Sequence, residues 1–241
     1  EALGYVVTPV RNEAKEQFLR VQKEWAARAT RPIEPVLAGW PTYPELEAEL
    51  QQVAAQHPDL VRIAQIGTTV QGRAIWVLRI TDQPDLEENE PEFKFTSSIH
   101  GDEVVGMDLC RRMIHYLLDN YGVDPAVTQL VNNTELWFCP MHNPDGFVNG
   151  TRYNAHGRDL NRNFPDPVTD RNDDPTGREP EVQAMMNFGY GHSFILSANY
   201  HGGELVMNIP WDCKLEETPD HDMIWSFAEG YSYRNPPMWN S

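Results

Sequence analysis

Three residues of the sequence have side chains that bind transition metals, and they stand in two short motifs. His100 and Glu103 form a His-x-x-Glu motif, and His201 begins a His-Gly-Gly motif. Two imidazoles and one carboxylate leave the fourth tetrahedral position of Zn²⁺ open for water or a substrate carbonyl, which is typical of catalytic zinc sites. Because a His-x-x-Glu pair also occurs by chance at helix N-termini, the neighbouring sequence has to support this interpretation. The prediction is one zinc ion per chain, bound by His100, Glu103 and His201.

The segments beside these residues predict that the ligands lie near strand ends. Residues 94–99 form a β-prone stretch that ends at His100, and residues 194–200 form a buried-strand pattern that ends at His201. Residues 103–118 have the apolar periodicity of a helix, which places Glu103 near its start. This pattern favours an α/β domain with a mixed, mostly parallel sheet flanked by helices, in which the carboxyl ends of strands present the ligands.

Further polar residues occupy the segment between the two metal motifs. Arg152 precedes the run YNAHGRDLNRNFP over residues 153–165, and NPDGF lies at residues 143–147. Together with the metal motifs, in this order and spacing, they make the chain resemble the zinc metallocarboxypeptidases of the M14 family from about residue 43 onward. It is most similar to the branch of carboxypeptidases N, E and D, and residues 66–80 resemble that family's early hairpin. The resemblance implies a zinc-dependent exopeptidase that hydrolyses the C-terminal bond of peptides or proteins.

The resemblance also implies a role for each polar residue. Arg152 would polarise the scissile carbonyl and stabilise its oxyanion, although Thr151 replaces the family's preceding glycine. Asn161 and Arg162 match the pair that holds the C-terminal carboxylate of the peptide. A guanidinium binds a carboxylate at two points, and the adjacent amide adds a neutral donor.

The side-chain preference of such an enzyme depends on residues 208–213. In this segment, Asn-Ile-Pro-Trp-Asp-Cys, Asp212 matches the aspartate that faces the departing side chain in the basic-specific branch. A buried carboxylate in an apolar pocket would favour a C-terminal Lys or Arg. The alternative is that Asp212 only caps a turn after Pro210. Ile209 and Cys213 stand where the family has an aromatic residue and an acid.

The mechanism that the resemblance implies also needs a glutamate general base and a tyrosine downstream of His201. None of the glutamates after His201 lies in a similar motif: Glu204, Glu216, Glu217 and Glu229. We therefore expect that the C-terminal part of the domain is missing and that this polypeptide is impaired or inactive, since general acid–base catalysis contributes about 10²–10⁴-fold. Two alternatives stay open: an inactive peptide-binding module of the same fold, and a zinc deacylase or cell-wall peptide amidase of that fold.

Composition and chain organisation set the remaining expectations. The net charge of −17 over 241 residues argues against nucleic-acid and anionic-membrane partners and suits a positively charged substrate. No stretch approaches the roughly 20 apolar residues of a membrane span. Residues 1–40 are predicted to form a helical extension, with a helix over 12–27 and a Pro-rich link, and residues 41–241 the incomplete catalytic domain. The resemblance favours an exported protein, while the sequence leaves the oligomeric state open.

Overall fold

The structure is a computed structural model that describes residues 40–235 and Met238. The predicted helix over residues 12–27 and the link up to residue 39 lie outside the described residues, so the division at residue 40 stays a prediction. The described chain forms these elements in order: α1 (Tyr43–Gln56), β1 (Val61–Thr68), β2 (Ala74–Ile80), β3 (Glu92–Ser97), α2 (Val105–Asn120), α3 (Pro125–Val131), β4 (Glu135–Cys139), α4 (Pro144–Asn149), a 3₁₀ turn (Leu160–Arg162), α5 (Pro180–Tyr190), β5 (Phe194–Tyr200) and α6 (His221–Tyr233).

The five strands form one mixed sheet in the order β1-β2-β4-β3-β5. β1 pairs with β2, and β2 with β4, in antiparallel orientation. β3 lies between β4 and β5 and is parallel to both. The predicted α/β class with a mixed sheet is confirmed, and the parallel pairings are those beside the predicted metal ligands. Because β3 and β5 run in the same direction, the segments that follow them leave the sheet at the same edge.

Helices cover both faces of the sheet. On one face, α1, α2 and α3 pack against the strands in a core that includes Leu46, Ile114 and Phe138, each 1% exposed or less. On the other face, α5 packs Ala184 and Met185 against a smaller core with Val77 and Trp137. Full burial of one large apolar side chain stabilises a fold by about 1.5–3 kcal/mol, so the three-layer packing holds the sheet edge in place.

The β1–β2 hairpin is tied to α4 by a buried carboxylate. Asp145, which is fully buried, accepts hydrogen bonds from the Thr69 hydroxyl at 2.8 Å, the Gln71 N–H at 2.9 Å and Arg73 Nη1 at 2.5 Å. Three donors satisfy a charge that would be costly to bury alone. Residues 66–80, identified by resemblance as a hairpin, do form one, and this network joins it to the segment before Arg152.

None of the described helices has both the length and the apolar character that are needed to span a membrane.

Candidate metal centre and carboxylate site

The three predicted metal ligands meet at the sheet edge where β3 and β5 end. Nδ1 of His100 lies 2.8 Å from Oε1 of Glu103 and 3.2 Å from Nδ1 of His201. The second Glu103 oxygen, Oε2, lies 2.9 Å from Nδ1 of His201. The two histidines thus direct Nδ1 towards each other and towards Glu103, which faces each ring with a different carboxylate oxygen, and one donor atom from each residue lies within 4.8 Å of the others.

These separations fit a tetrahedral zinc ion. With Zn–N and Zn–O bonds of about 2.0–2.2 Å, two donors of a tetrahedron stand about 3.4 Å apart. The nitrogen pair at 3.2 Å is close to that distance, and the nitrogen–oxygen pairs at 2.8 and 2.9 Å are slightly shorter. His100 is 2% exposed, whereas the His201 side chain is 35% exposed, so the donors are open to solvent on the His201 side. The donor set therefore fits zinc and leaves room for a further ligand.

Turns, rather than the strands and helix themselves, carry two of the ligands. β3 ends at Ser97, and His100 follows three residues later, because Ser98 adopts a positive φ of 53° and turns the chain. Helix α2 begins at Val105, so Glu103 precedes it instead of lying in its first turn. The Ser98 hydroxyl donates to the Glu103 carbonyl at 3.0 Å and holds this turn closed. His201, as predicted, directly follows β5.

A close backbone approach fixes the His100–Glu103 turn against α4. A Cβ at Gly101 would lie 2.0 Å from the carbonyl carbon of Gly146, so no other residue fits there without a backbone shift. Asn143, which is fully buried, spans the same junction: its Nδ2 donates to the carbonyls of Ile99 at 3.2 Å and Arg152 at 3.4 Å. The Asn143 side chain therefore fixes the backbone at Arg152 relative to the backbone before His100.

Glu103 is held in its ionised form. Burial alone would raise the pKa of its carboxyl group, but the Gly202 N–H at 2.9 Å and the two imidazoles outweigh burial and bring the pKa below its usual value. A carboxylate must be ionised to bind a metal. Gly202 suits this contact because a Cβ there would already lie 3.2 Å from Glu103 Cγ.

Asp159 connects the metal ligands with the predicted substrate-binding residues. Its Oδ1 lies 3.2 Å from Nε2 of His100 and accepts from the Asn161 N–H at 2.9 Å. Its Oδ2 accepts from Nε of Arg152 at 2.9 Å. Burial would raise the pKa of Asp159, but the Arg152 guanidinium, the Asn161 N–H and the His100 ring lower it overall. One carboxylate therefore contacts the imidazole of the predicted metal ligand His100, the Arg152 guanidinium and the turn that carries Asn161 and Arg162.

The structure places Arg152 beside the metal donors and the other two predicted residues in an exposed turn. Nη1 of Arg152 lies 3.2 Å from Nδ1 of His100. Asn161 and Arg162 are exposed in the 3₁₀ turn that Asp159 caps. Their side chains are accessible to a ligand, and their assignment to a peptide carboxylate stays a prediction.

Asp212 differs from its expected environment. It was predicted to be a buried carboxylate in an apolar pocket, but it is exposed, in a turn of residues 210–216. In the same turn, Lys214 donates to Glu216 at 2.8 Å and lies over the Trp211 ring at 5.2 Å. The described residues around Asp212 therefore do not provide the desolvation that would strengthen an ion pair with a basic side chain. Its predicted role is not tested by this position.

Sequence reasoning assigned no role to Asp159 or to Asn199, although both contact a predicted ligand. Asp159 stands two residues before Asn161, and Asn199 two residues before His201. In both cases, the signal available in the sequence was a short polar side chain two positions before a candidate site residue. For Asp159, this is the spacing of a capping residue and the N–H that it accepts from. For Asn199, it is the spacing of two residues on the same face of a strand.

Comparison with known proteins gives a consistent set of similarities. A family model described as zinc carboxypeptidase matches residues 46–241. Carboxypeptidase D of Rattus norvegicus is 37% identical over 228 residues, which cover 87% of this chain and 16% of that protein. Carboxypeptidase M of Mus musculus is 36% identical over 212 residues, which cover 80% of this chain and 47% of that protein.

A solved structure has the same architecture. The crystal structure of carboxypeptidase A from Helicoverpa armigera aligns with a TM-score of 0.62 and 25% identity, covering 80% of this chain and 54% of that one. The chain thus spans about half the length of that structure and of the carboxypeptidase M, and a smaller share of the carboxypeptidase D.

Proposed function

We propose that this chain, which belongs to the zinc carboxypeptidase family, is the zinc-binding and carboxylate-binding part of an exopeptidase that removes one residue, Lys or Arg, from the C-terminus of peptides. The observation that carries the proposal is the Asp159 carboxylate, which contacts His100, Arg152 and the backbone of Asn161. It joins a metal-binding imidazole to a cationic turn. An exopeptidase needs both elements close together, because the scissile carbonyl belongs to the penultimate residue and the free carboxylate to the terminal residue that follows it.

Each residue has a separate task in this proposal. His100, Glu103 and His201 would hold the zinc ion, which, when bound, supplies a Lewis acid to the scissile carbonyl and lowers the pKa of a bound water. Nη1 of Arg152, on the side of the metal donors, would donate to the carbonyl oxygen as negative charge develops on it. Asn161 and Arg162 would bind the terminal carboxylate, which selects a chain end over an internal peptide bond.

Selection of a basic terminal residue is supported by charge. The chain has 36 acidic against 19 basic residues, and Asp212 is the carboxylate that the resemblance places at the departing side chain. An exposed ion pair contributes little, so the preference requires that Asp212 is shielded from solvent when the substrate is bound. Export from the cell is part of the same proposal and rests on the family resemblance alone.

The inactive binding module remains a second candidate because no general base has been assigned among the described residues. Glu204, Glu216, Glu217 and Glu229 are all exposed. Such a module would use the same cationic turn to bind a peptide carboxylate without cleaving it.

One experiment separates the two candidates. Synthetic peptides that differ only in their last residue, Lys, Arg or Leu, and matched peptides with an amidated C-terminus are incubated with the zinc-loaded protein and followed by mass spectrometry and calorimetry. Release of a single Lys or Arg supports the exopeptidase. Saturable binding that amidation abolishes, with no release of a terminal residue even over prolonged incubation, supports the binding module, because loss of a general base slows an exopeptidase by about 10²–10⁴-fold without removing the contribution of zinc and Arg152. If amidated and free peptides behave alike, the carboxylate site is wrong and both proposals fail.

A further inference from the structure

The side chain of Asn199 connects the metal ligand His201 to the neighbouring strand. Thr96 on β3 and Asn199 on β5 are paired in the parallel register, so both side chains stand on the same face of the sheet. The Thr96 hydroxyl lies 3.1 Å from Oδ1 of Asn199 and 3.5 Å from the carbonyl oxygen of Ala198. On its other side, the Asn199 amide lies 3.3 Å from Nε2 of His201. The three side chains of Thr96, Asn199 and His201 thus form a row of contacts. Thr96 is buried, with 7% exposure, so this end of the row is anchored inside the protein.

The position of the metal donors determines which ring nitrogen of His201 needs a partner. Nδ1 faces Glu103 and His100 at 2.9 and 3.2 Å. If Nδ1 gives its lone pair to a metal, the neutral imidazole carries its proton on Nε2. Nε2–H then requires a hydrogen-bond acceptor, and the amide group of Asn199 is the group within reach.

Only one orientation of the amide satisfies all of these groups. With Nδ2 towards His201, two N–H donors would face each other across 3.3 Å. A half-turn about the Cβ–Cγ bond exchanges the amide oxygen and nitrogen, which have nearly the same shape. Oδ1 then accepts from Nε2–H of His201, Nδ2 donates to the Thr96 hydroxyl oxygen, and that hydroxyl donates to the Ala198 carbonyl. Every donor in the row has an acceptor.

We infer that Asn199 is a positioning residue that, held by Thr96, fixes His201 in the Nε2–H tautomer and directs its Nδ1 at the metal. The inference rests on the zinc site of the proposed function, but it concerns metal binding and not peptide cleavage. Groups that accept from the second nitrogen of a metal-bound histidine typically change metal affinity about 10–100-fold when they are removed.

The two metal-binding histidines are supported by different chemistry. Nε2 of His100 faces the carboxylate of Asp159 at 3.2 Å, whereas Nε2 of His201 faces a neutral amide. A carboxylate makes an imidazole a stronger donor and adds a negative charge near the metal, whereas an amide only orients the ring. With Asn at position 199, the ligand set carries the single negative charge of Glu103, which leaves a bound divalent ion with a net positive charge.

The test is zinc affinity, measured by competition with a chromophoric chelator, together with the visible absorption of the Co²⁺-loaded protein. Asn199→Leu removes the acceptor and is expected to weaken zinc binding about 10–100-fold and to alter the Co²⁺ bands. Asn199→Asp keeps an acceptor of the same size and is expected to bind zinc at least as tightly as the parent protein. Ser197→Ala, two residues earlier on the same exposed face of β5, is the matched control and should change neither reading.

Thr96 provides a second pair of variants that does not alter the residue next to the metal ligand. Thr96→Val removes the hydroxyl that holds the amide and should weaken zinc binding, while Thr96→Ser keeps the hydroxyl and should restore it. If Asn199→Leu lowers the thermal stability of the zinc-free protein, this valine and serine pair decides the question. Zinc affinity within twofold of the parent in both Asn199→Leu and Thr96→Val would overturn the inference.

The outcome is separate from that of the proposed function. If the parent protein and His201→Ala bind zinc equally, the metal site itself is wrong and the proposed function fails with it. If the parent binds zinc through His201 but the Asn199 and Thr96 variants bind as tightly, only the positioning role is lost.

Discussion

Arg152 and Asp159 form an ion pair in which Nε and Nη2 of the guanidinium both lie 2.9 Å from the same carboxylate oxygen, Oδ2. This contact uses one side of the guanidinium. Nη1 is left on the opposite side, 3.7 Å from Oε1 of Glu103. The pair therefore determines which nitrogen of Arg152 faces the predicted metal ligands.

Replacing this carboxylate with an amide should affect both metal and peptide binding. We expect Asp159→Asn to weaken zinc binding about 10-fold or more, because the ring of His100 loses a charged acceptor. Binding of a peptide with a free C-terminus should weaken as well, because Arg152 and the Asn161 turn lose a shared anchor. Chelator competition and calorimetry measure the two effects. Asp119→Asn, an exposed aspartate of α2, is the control, and an unchanged zinc affinity in Asp159→Asn would contradict the assigned contact.

The metal content itself is a direct prediction. Purified protein should contain one zinc ion per chain, and His201→Ala should lose it, since two remaining donors bind zinc far more weakly than three. Elemental analysis after dialysis measures the ratio. His156→Ala removes an exposed histidine that pairs with Glu179 at 2.7 Å, away from the donors' own contacts, and should keep the zinc. Equal zinc in the parent and His201→Ala proteins would refute the ligand set.

Substrate preference depends on Asp212. If this protein cleaves peptides, we expect Asp212→Ala to lower its kcat/KM for peptides ending in Lys or Arg by about 10²-fold. This fall corresponds to the loss of a desolvated ion pair that contributes roughly 3 kcal/mol. Peptides ending in Leu should change little. The comparison of the two peptide classes in parallel assays is the measurement. An equal fall for both classes would mean that the exposed turn of residues 210–216 only shapes the site.

Folding stability should fall at acidic pH partly through His142. Burial lowers the pKa of this imidazole to about 4 from its ordinary 6.5, and the positive charge of Lys94 acts in the same direction, while the hydrogen bond to the Glu181 carbonyl opposes the shift. The unfolded chain therefore binds a proton before the folded one does. Stability that is fully present above pH 6.5 is lost as the pH falls towards 4, by up to about 3 kcal/mol.

Denaturant unfolding at pH 7 and pH 4.5 measures this loss. His142→Gln keeps a donor for the Glu181 carbonyl but does not titrate in this range, so its free energy of unfolding should fall less over the same interval. Other groups titrate in both proteins, so the difference between their losses in the free energy of unfolding isolates the contribution of His142. Parallel losses in the two proteins would contradict the assignment.

The strands could be predicted where local pattern and tertiary position agree. β4 and β5 have the bounds that their apolar runs indicate, Glu135–Cys139 and Phe194–Tyr200. β3 starts at Glu92, two residues earlier than the apolar run, because this glutamate is buried and accepts from His192 and the Ser193 N–H. A charged side chain with partners 100 residues away gives no local signal for a strand.

The clustering of the three predicted metal ligands could be expected from residue type and order, but the contacts that support them could not. Asp159 contacts His100 across 59 residues of sequence, and Thr96 contacts Asn199 across 103. Such pairs depend on which strands become neighbours. The burial expected for Asp212 is not found among the described residues for a related reason, since side-chain burial depends on what packs over a turn and not on the turn's own sequence.

The contact between Gly101 and the backbone of Gly146 has a consequence for redesign of the site. The segment that holds His100 and Glu103 is seated on main-chain atoms, so its course does not depend on the identity of the ligands that it carries. We therefore expect that a ligand side chain can be exchanged, for instance in Glu103→His, while the backbone of this segment keeps its course. The same contact makes position 101 intolerant of change, because the Cβ of an alanine there would push the His100–Glu103 turn away from the backbone of Gly146.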